Sequence, residues 1–248
     1  MCAGCSVNQD LKFDFTMAFQ PIVNLGTQQI FAYEALVRGI NNESAYQILA
    51  QVNEKNRYRF DQLCRRKAIE LAAQLNLQTY LSINFLPNAV YRPELCIQST
   101  LLAAQRLGFS TNQIIFEVTE GEKIDDRVHL KNILQEYQRL GFQTAIDDFG
   151  AGYAGLNLLA EFQPNLIKID MQLIRDVQRN HVKQAIVQAI VHICRQLDLE
   201  VVAEGVETIQ ELNALKQMGI TLFQGYYFAK PAFENLPTIN RWRTNSGN

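Results

Sequence analysis

Short β-rich runs alternate with longer helical patterns along this chain, and that alternation restricts its fold more than any other feature. Helical spacing of apolar residues marks segments such as 59–75, 127–140, 183–197 and 208–218. Alternation of this kind predicts a mostly parallel sheet with helices packed on it. The β-rich runs occupy positions 17–23, 30–37, 79–85, 114–118, 143–147, 166–169, 200–203 and 222–228.

The gap between the first two runs predicts one departure from a regular barrel. Only residues 24–29 separate them, with a glycine at position 26. Because a parallel crossover needs a dozen or more residues, we expect these two strands to be antiparallel neighbours. The length of 248 residues suits a single α/β barrel. We therefore predict an N-terminal extension over 1–16 and, over 17–248, a TIM-like (β/α)8 barrel with one irregular antiparallel strand at its start.

Composition excludes several other classes of protein. The net charge is −2 and no long basic run is present, so we expect no binding to a nucleic-acid polymer through a basic face. No apolar run approaches the roughly 18 residues that span a bilayer, which predicts no membrane insertion. The five cysteines are odd in number and mostly isolated, as is typical of a reduced cytoplasmic protein. Cys2 and Cys5 form a CxxC pair without a second pair nearby.

Polar residues collect at the carboxyl ends of the predicted strands. In a barrel these ends meet on one face, where active sites are built. Carboxylates that meet in one cup repel each other unless cations bind among them. Any one of these acids could be a helix cap or a surface residue, but the pattern as a whole favours a metal site. The residues at the strand ends are Glu34, Asn84, Glu117, Asp147, Asp148, Lys168, Asp170, Glu204 and Glu207.

The ligand types indicate a hard cation. Carboxylates and one amide oxygen suit Mg²⁺ or Mn²⁺. The three histidines, His129, His181 and His192, fall inside helical patterns, which disfavours a histidine-rich zinc or iron centre. Because Asp147 and Asp148 are adjacent, one carboxylate could bridge two ions about 4 Å apart, an arrangement that serves phosphoryl displacement. The sequence therefore predicts two ions of Mg²⁺ or Mn²⁺.

These residues lie in blocks that resemble the EAL family of cyclic di-GMP phosphodiesterases over about 19–231. The naming tripeptide is Glu34-Ala35-Leu36, inside YEALVRG. The tripeptide alone would be a weak match, whereas ordered blocks at barrel-compatible spacing are specific. The other blocks are FQPIV from Phe19, SINF from Ser82, FEVTE from Phe116, IDDFGAGYAGL from Ile146, LIKID from Leu166, VVAEGVE from Val201 and QGYYFAKP from Gln224.

The resemblance implies that the chain hydrolyses cyclic di-GMP to linear pGpG. In this reaction two metal ions would activate the attacking water. Glu204 would bind the second ion or act mainly as the base toward this water. Lys168 resembles the lysine that orients the water and offsets negative charge. The implied ligands are Glu34, Asn84, Glu117 and Asp147 for one ion and Asp147, Asp148 and Glu204 for the other.

The resemblance also implies substrate contacts. Gln20 and Arg38 match substrate-binding positions, with Arg38 placed to hold a phosphate. Gln224 matches a position near the nucleotide; the alternative is a plain polar residue at a strand end. Glu207 resembles a pocket residue, and Asp170 is expected to pair with Lys168 or to reach the water network.

Segment 149–155, FGAGYAG, resembles the family loop that joins the metal site to a dimer interface. Phe149, Gly150 and Gly152 belong to this loop, and Glu120 resembles the glutamate that steadies it. The predicted helix 153–162 carries apolar surface that a two-fold interface could bury, which predicts a homodimer. The alternative is an ordinary strand-to-helix turn whose helix packs on the barrel wall. The apolar residues in question are Leu156, Leu158, Leu159 and Phe162.

One departure from the family lies after Arg38, where a tryptophan and a longer loop are usual. Here Gly39 follows, and a helix is expected from about Ser44. This shorter form resembles EAL domains linked to blue-light-sensing flavin modules. Because about 16 residues precede the first strand, we expect no sensor or cyclase domain. One alternative is a catalytically silent receptor or protein-interaction domain, against which the intact metal positions argue. The other is a barrel enzyme for another phosphodiester, against which Gln20 and Arg38 argue.

Overall fold

The computed structural model describes residues 11–119, 126–152 and 155–239. Its strands are β1 (Phe15–Asn24), β2 (Gln29–Gly39), β3 (Tyr80–Asn84), β4 (Ile114–Thr119), β5 (Gln143–Phe149), β6 (Leu166–Ile169), β7 (Glu200–Ala203), β8 (Leu222–Phe223) and β9 (Ala232–Phe233). Its helices are α1 (Ala45–Leu49), α2 (Arg57–Gln74), α3 (Pro93–Cys96), α4 (Gln98–Arg106), α5 (Arg127–Arg139), α6 (Gly155–Glu161), α7 (Met171–Ile174), α8 (His181–Gln196) and α9 (Ile209–Gln217).

The strands close into a barrel of eight, with β9 as an additional strand. From β2 to β8 each strand pairs in parallel with the next. β1 is antiparallel to β2 along its whole length and also pairs with β8 through Val23 and Asn24, which closes the ring. On that same edge, β9 pairs with β1 at Ala18 and Phe19. The predicted barrel with one antiparallel strand at its start is confirmed.

The apolar core has two parts, inside the barrel and between the barrel and its helices. The outer part is the larger, because the outward-facing strand residues meet the apolar faces of the surrounding helices. A smaller cluster fills the barrel interior beneath the strand ends, and Phe31 and Tyr80 pack against it. Its members are Ile22, Ala32, Ile115, Ala145, Leu166, Val202 and Leu222.

Local capping signals account for where several helices begin. Thr208 accepts a hydrogen bond from the backbone of Glu211, and the Glu211 side chain accepts one from the backbone of Thr208, which forms a capping box before α9. Ser44 caps α1 in the same way with Gln47, so this helix begins where the sequence predicts it. All three histidines lie in helices, His129 in α5 and the other two in α8.

The eighth strand is shorter than predicted, because the run 222–228 leaves the sheet after Phe223. At Gly225 the backbone passes so close to Val206 that a Cβ would lie 2.1 Å from the Val206 carbonyl oxygen. Val206 N donates to Gln224 O, and Tyr227 N donates to Val206 O. The chain therefore turns against the loop after β7 instead of extending the strand.

Cys64, Cys96 and Cys194 are buried free thiols. Cys2 and Cys5 lie outside the described residues, as does most of the predicted extension 1–16, whose last residues Phe15 and Thr16 are already part of β1. Among the helices of the described ranges, none is long and apolar enough to cross a membrane.

Candidate active site

The polar strand ends converge above the apolar layer inside the barrel. Ala32 lies in this layer two residues before Glu34, and Ile115 stands in the same relation to Glu117. Because side chains alternate direction along a strand, each of these acids points into the barrel above its apolar neighbour. The same spacing relates the other inner-layer residues to site residues, in the pairs Ala145 and Asp147, Leu166 and Lys168, Val202 and Glu204, and Leu222 and Gln224.

A buried lysine lies at the centre of this cup. The Lys168 side chain is 1% exposed, and its Nζ contacts four carboxylates. These carboxylates hold the pKa of Lys168 well above its ordinary value, although burial opposes the shift. One ammonium therefore offsets only part of the negative charge. Its distances are 2.7 Å to Glu204 Oε1, 2.8 Å to Glu117 Oε2, 3.0 Å to Asp147 Oδ1 and 3.3 Å to Glu34 Oε2.

Glu34 is held by amide side chains as well as by Lys168. Asn84 Nδ2 donates to Glu34 Oε1 at 2.8 Å, and Gln224 Nε2 donates to Glu34 Oε2 at 2.7 Å. Burial opposes ionisation, yet Lys168 and these hydrogen bonds lower the pKa of Glu34. Gln20, which pairs with Glu34 across β1 and β2, approaches Gln224 at 3.4 Å and donates to Ala229 O. The structure thus places Gln20 and Gln224 beside a carboxylate of the cup.

Ser82 is a site residue that the sequence reasoning did not single out. Its hydroxyl is fully buried and donates to Glu117 Oε1 at 2.5 Å. It stands two residues before Asn84 on β3, so both side chains point into the barrel. The period-2 pattern within SINF was the signal that could have identified it, because a serine facing the interior of a barrel needs a partner.

Asp147 and Asp148 reach the same cup because β5 is irregular there. In a regular strand, adjacent side chains point to opposite faces. Here the register with β6 shifts between Ile146 and Phe149, and Asp148 adopts a left-handed φ of 52°. A non-glycine residue in this region costs about 1–3 kcal/mol and is common where function requires it. The irregularity brings both carboxylates toward Glu204.

Burial raises the pKa of three other acids of the cup. It raises the pKa of Glu117 and of Glu204 well above the ordinary value, against the opposing effect of Lys168. Burial, together with Asp147 and Asp170, raises the pKa of Asp148 to about 6. Ionising these carboxyl groups in the cup is therefore unfavourable, and a divalent cation would stabilise their charged forms.

Among the residues that the structure describes, two groups of acids have the proximity that a metal ion requires, and Asp147 belongs to both. In each group the carboxylate oxygens lie within 4.8 Å of one another. Because these donors are negatively charged oxygens on side chains that are buried or half-buried, they fit a hard divalent cation. The amide of Asn84, beside Glu34, could add an oxygen after a flip that exchanges its O and N. The groups are Glu34, Glu117 and Asp147, and Asp147, Asp148 and Glu204.

Two other predicted residues occupy the rim next to this cup. Asp170 accepts a hydrogen bond from Gln172 N at 2.9 Å and so caps α7; its contact is with a helix and not with Lys168. Glu207 pairs with Arg175 at 2.8 Å. The backbone amide of Glu207 donates to Glu211, which thereby holds the loop after Glu204.

Arg38 lies farther from the cup, on the part of β2 that extends beyond β3. It shares a face with Glu34 but stands four residues along, which is roughly 13 Å in an extended strand. Its Nη1 donates to Val37 O at 2.7 Å. The structure thus places the backbone of Arg38 away from the acids, toward the far end of β2.

The loop after β5 connects the cup to an apolar depression on the outside of the barrel. Phe149 is buried, while Gly150 and Gly152 line this depression of about 470 Å³ together with residues of α6, α7 and α8. Leu156 is 61% exposed at its edge. The other apolar residues of the predicted helix, Leu158, Leu159 and Phe162, pack against the barrel. Glu120 and residues 153–154 lie outside the described residues.

The barrel with this acidic cup defines the class of protein. The EAL domain family matches residues 6–231, and the chain therefore belongs to that family. A stand-alone EAL protein from Vibrio cholerae O395, solved in a cyclic di-GMP-bound form, is 58% identical, with a TM-score of 0.91 over 93% of this chain and 98% of that one. BlrP1 from Klebsiella pneumoniae, solved with manganese and cyclic di-GMP, is 38% identical, with a TM-score of 0.86 over 94% of this chain and 60% of that one.

Among curated proteins, the blue light- and temperature-regulated antirepressor BluF of Escherichia coli K12 is 34% identical over 95% of this chain. The match covers 58% of BluF, so the chain spans somewhat more than half the length of that relative. The cyclic di-GMP phosphodiesterase PdeR of the same organism is 40% identical over 56% of this chain and 21% of PdeR.

Proposed function

We propose that this chain hydrolyses cyclic di-GMP to linear pGpG with the help of two Mg²⁺ or Mn²⁺ ions. The observation that carries the proposal is the pair of carboxylate groups that share Asp147 at the carboxyl ends of the barrel strands. Relatives named cyclic di-GMP phosphodiesterases and neighbours solved with cyclic di-GMP support the substrate. The manganese in one of these neighbours supports the metal.

The ligands in this proposal are Glu34, Asn84, Glu117 and Asp147 for one ion and Asp147, Asp148 and Glu204 for the other. When bound, such ions stabilise negative charge on the phosphate and make water a better nucleophile. Lys168 donates hydrogen bonds toward the water and offsets charge that builds up on the phosphate oxygens. Glu204, which lies beside Asp147 and Asp148, would accept the proton of the water. Water joins the phosphorus, the bond to the ribose 3′ oxygen breaks, and that oxygen takes up a proton.

Residues outside the cup hold the rest of the substrate. Cyclic di-GMP has two phosphates, and one of them must lie away from the reacting centre. Arg38, whose side chain lies on the same face of β2 as Glu34 but beyond the cup, suits this second phosphate. Gln20 and Gln224 offer amide groups to the nucleotide between the two positions, although in this structure they hold Glu34 and each other.

The metal requirement tests the proposal. Purified protein should convert cyclic di-GMP in Mg²⁺ or Mn²⁺ and lose this activity in excess chelator. Ca²⁺ should bind without supporting turnover, because its longer bonds and variable geometry misplace the water. Full turnover in chelator, or rapid turnover in Ca²⁺ alone, would contradict the proposed mechanism.

A binding role without catalysis is the second candidate, and one comparison favours it. BluF, which is 34% identical over most of this chain, is named an antirepressor. The two functions differ in a simple measurement: a receptor would bind cyclic di-GMP in Mg²⁺ or Mn²⁺ and release it unchanged. We favour the enzyme, because the carboxylates of both groups are present and lie close together.

We further propose that the chain works as a homodimer through the apolar depression next to the 149–155 loop. Leu156 and Ile186 expose apolar surface at this depression, and Met171 and Val182 on the adjoining helices are also exposed. A second copy related by a two-fold axis would cover the same patch on both molecules. Since Gly150 and Gly152 line the depression and lie two and four residues after Asp148, such contact would act on the proposed metal ligands.

A further inference from the structure

A buried ion pair lies behind the ends of β3 and β4, outside the cup. Asp61 and Arg65 stand one turn apart on α2, and Arg65 Nη2 lies 2.7 Å from Asp61 Oδ2. Their side chains are 1% and 0% exposed. Replacing such a pair by apolar residues of similar size is often neutral or stabilising, so stability alone does not account for it.

Asp61 holds the backbone that follows Asn84. Its second oxygen, Oδ1, accepts a hydrogen bond from Leu86 N at 2.9 Å. Phe85, which lies between Asn84 and Leu86, donates from its backbone N to Glu117 O at 3.1 Å. The end of β3 is therefore attached to α2 on one side and to the end of β4 on the other.

Arg65 supports the outward side of the same strand ends. Its guanidinium carbon lies 5.4 Å from the ring centre of Phe85 and 5.2 Å from that of Phe116. Phe85 directly follows Asn84, and Phe116 directly precedes Glu117. Because side chains alternate along a strand, these rings face the helices while Asn84 and Glu117 face the cup.

The hydroxyl of Tyr137 on α5 completes the cluster. Arg65 Nη1 donates to Tyr137 Oη at 2.7 Å. Burial raises the pKa of Tyr137 to about 12, so this acceptor is a neutral hydroxyl at physiological pH. The guanidinium is thus held in place by Asp61, by Tyr137 and by the aromatic rings around it.

We propose that Asp61 and Arg65 are positioning residues for the metal site: they hold the ends of β3 and β4 so that Asn84 and Glu117 reach the same cation. The inference rests on the proposed function, because it assumes that these two residues bind a divalent ion. The pair acts through the Leu86 amide and the two phenylalanine rings, from outside the cup.

Two double variants separate positioning from stability. Asp61→Leu with Arg65→Met removes both charges and the acceptor of Leu86 N at similar volume. Asp61→Asn with Arg65→Met also removes both charges but keeps an oxygen for Leu86 N. Titration of Mn²⁺ by calorimetry should give binding about 10-fold weaker for the leucine variant than for the asparagine variant. Ile69→Val, a change at a buried residue of the same helix, is the control that lowers Tm and leaves Mn²⁺ affinity unchanged.

Equal Mn²⁺ affinity in the two double variants would overturn the inference. If the leucine variant does not fold, Tyr137→Phe replaces it; this change removes an acceptor of Arg65 and should weaken Mn²⁺ binding more than Ile69→Val does. Unchanged Mn²⁺ affinity in Tyr137→Phe would then overturn the inference. A wild-type protein that binds no Mn²⁺ would instead refute the proposed function, so the two failures are distinguishable.

Discussion

At the scale of single residues, the cup is short of positive charge. Lys168 offers one charge to four carboxylates, and the amides of Asn84 and Gln224 add only dipoles. This imbalance distinguishes the site from a structural ion pair, in which charges cancel. Changes to single carboxylates should therefore affect metal binding and turnover more than folding.

Glu34→Gln should lower turnover by at least about 10²-fold, on the order of 3 kcal/mol in the barrier, because it replaces a charged metal ligand with a neutral amide. The shape is retained, and the new amide oxygen can still accept from Gln224 or Asn84, so the Tm should change little. Steady-state rates at saturating Mn²⁺ and thermal melting measure the two effects. Glu136→Gln, in an exposed pair with Arg139, is the matched control. A Glu34→Gln variant with near wild-type turnover would show that Glu34 is not a ligand.

Metal binding should weaken as the pH falls through about 6. Asp148 has a pKa raised to about 6, so below this pH a metal ion must displace a proton from it. The same shift makes the metal-free fold relatively more stable below the unfolded pKa, and this stability is lost as the pH rises through about 6. Calorimetry with Mn²⁺ in buffers of different ionisation enthalpy measures the proton release. Asp148→Asn should release fewer protons near pH 6 than wild type; equal release would contradict the assignment.

At the scale of helices and strands, the sequence predicts the regular parts and misses those that long-range contacts determine. Apolar periodicity and the pair Thr208 and Glu211 mark α9 correctly, because capping is a local interaction. The end of β8 depends on the close approach of Gly225 to Val206. Because these two residues are distant in sequence, a local pattern does not indicate their contact. For the same reason the sequence does not reveal the bond from Ser82 to Glu117.

The acids of the site were predictable because several strands end in the same residue type, whereas their geometry was not. Nothing in the sequence around Asp147 and Asp148 indicates that β5 shifts its register with β6 between Ile146 and Phe149. The pair of Asp61 and Arg65 resembles any i, i+4 pair on a helix surface until the fold buries it. Roles in catalysis and substrate binding stay predictions for every residue of the site.

Gly225→Ala should disturb the loop that carries Glu204. The new Cβ would lie within 3 Å of three backbone atoms of Val206, and backbone cannot move aside cheaply. We expect a loss of stability of about 1–3 kcal/mol and a fall in turnover even where the protein is fully folded. Chemical denaturation and turnover at saturating metal measure the two effects. Gly26→Ala, whose nearest neighbour is the Asn24 side chain at 3.2 Å, is the control. Identical behaviour of the two variants would contradict the proposed packing.

At the scale of the whole molecule, the acidic cup and the apolar depression lie on different parts of the barrel. The strand ends carry the cup, while α6, α7 and α8 surround the apolar depression on the outside. The segment after Asp148 connects the cup to the depression. A partner bound at the depression would therefore contact the same loop that carries a proposed metal ligand. This arrangement predicts that assembly and turnover change together.

Leu156→Asp should therefore disrupt the proposed dimer and lower turnover in parallel. A charge at a buried apolar interface is costly, and a misplacement of ligands by about 1 Å can cost on the order of 10²-fold in rate. Sedimentation over a concentration series, with turnover measured on the same samples, tests both effects. Leu102→Asp is the control, because Leu102 is 65% exposed on α4, a different helix. A wild-type monomer that is fully active at every concentration would refute the coupling.

The most direct test of the central claim is the product formed from cyclic di-GMP in water enriched in heavy oxygen, with Mn²⁺ present. The predicted product is linear pGpG with one heavy oxygen atom on its terminal phosphate, detected by mass spectrometry after chromatographic separation. Such a result requires attack by water on phosphorus and opening of one phosphodiester. Cyclic di-GMP recovered intact from a protein that binds it would contradict the account and favour a receptor.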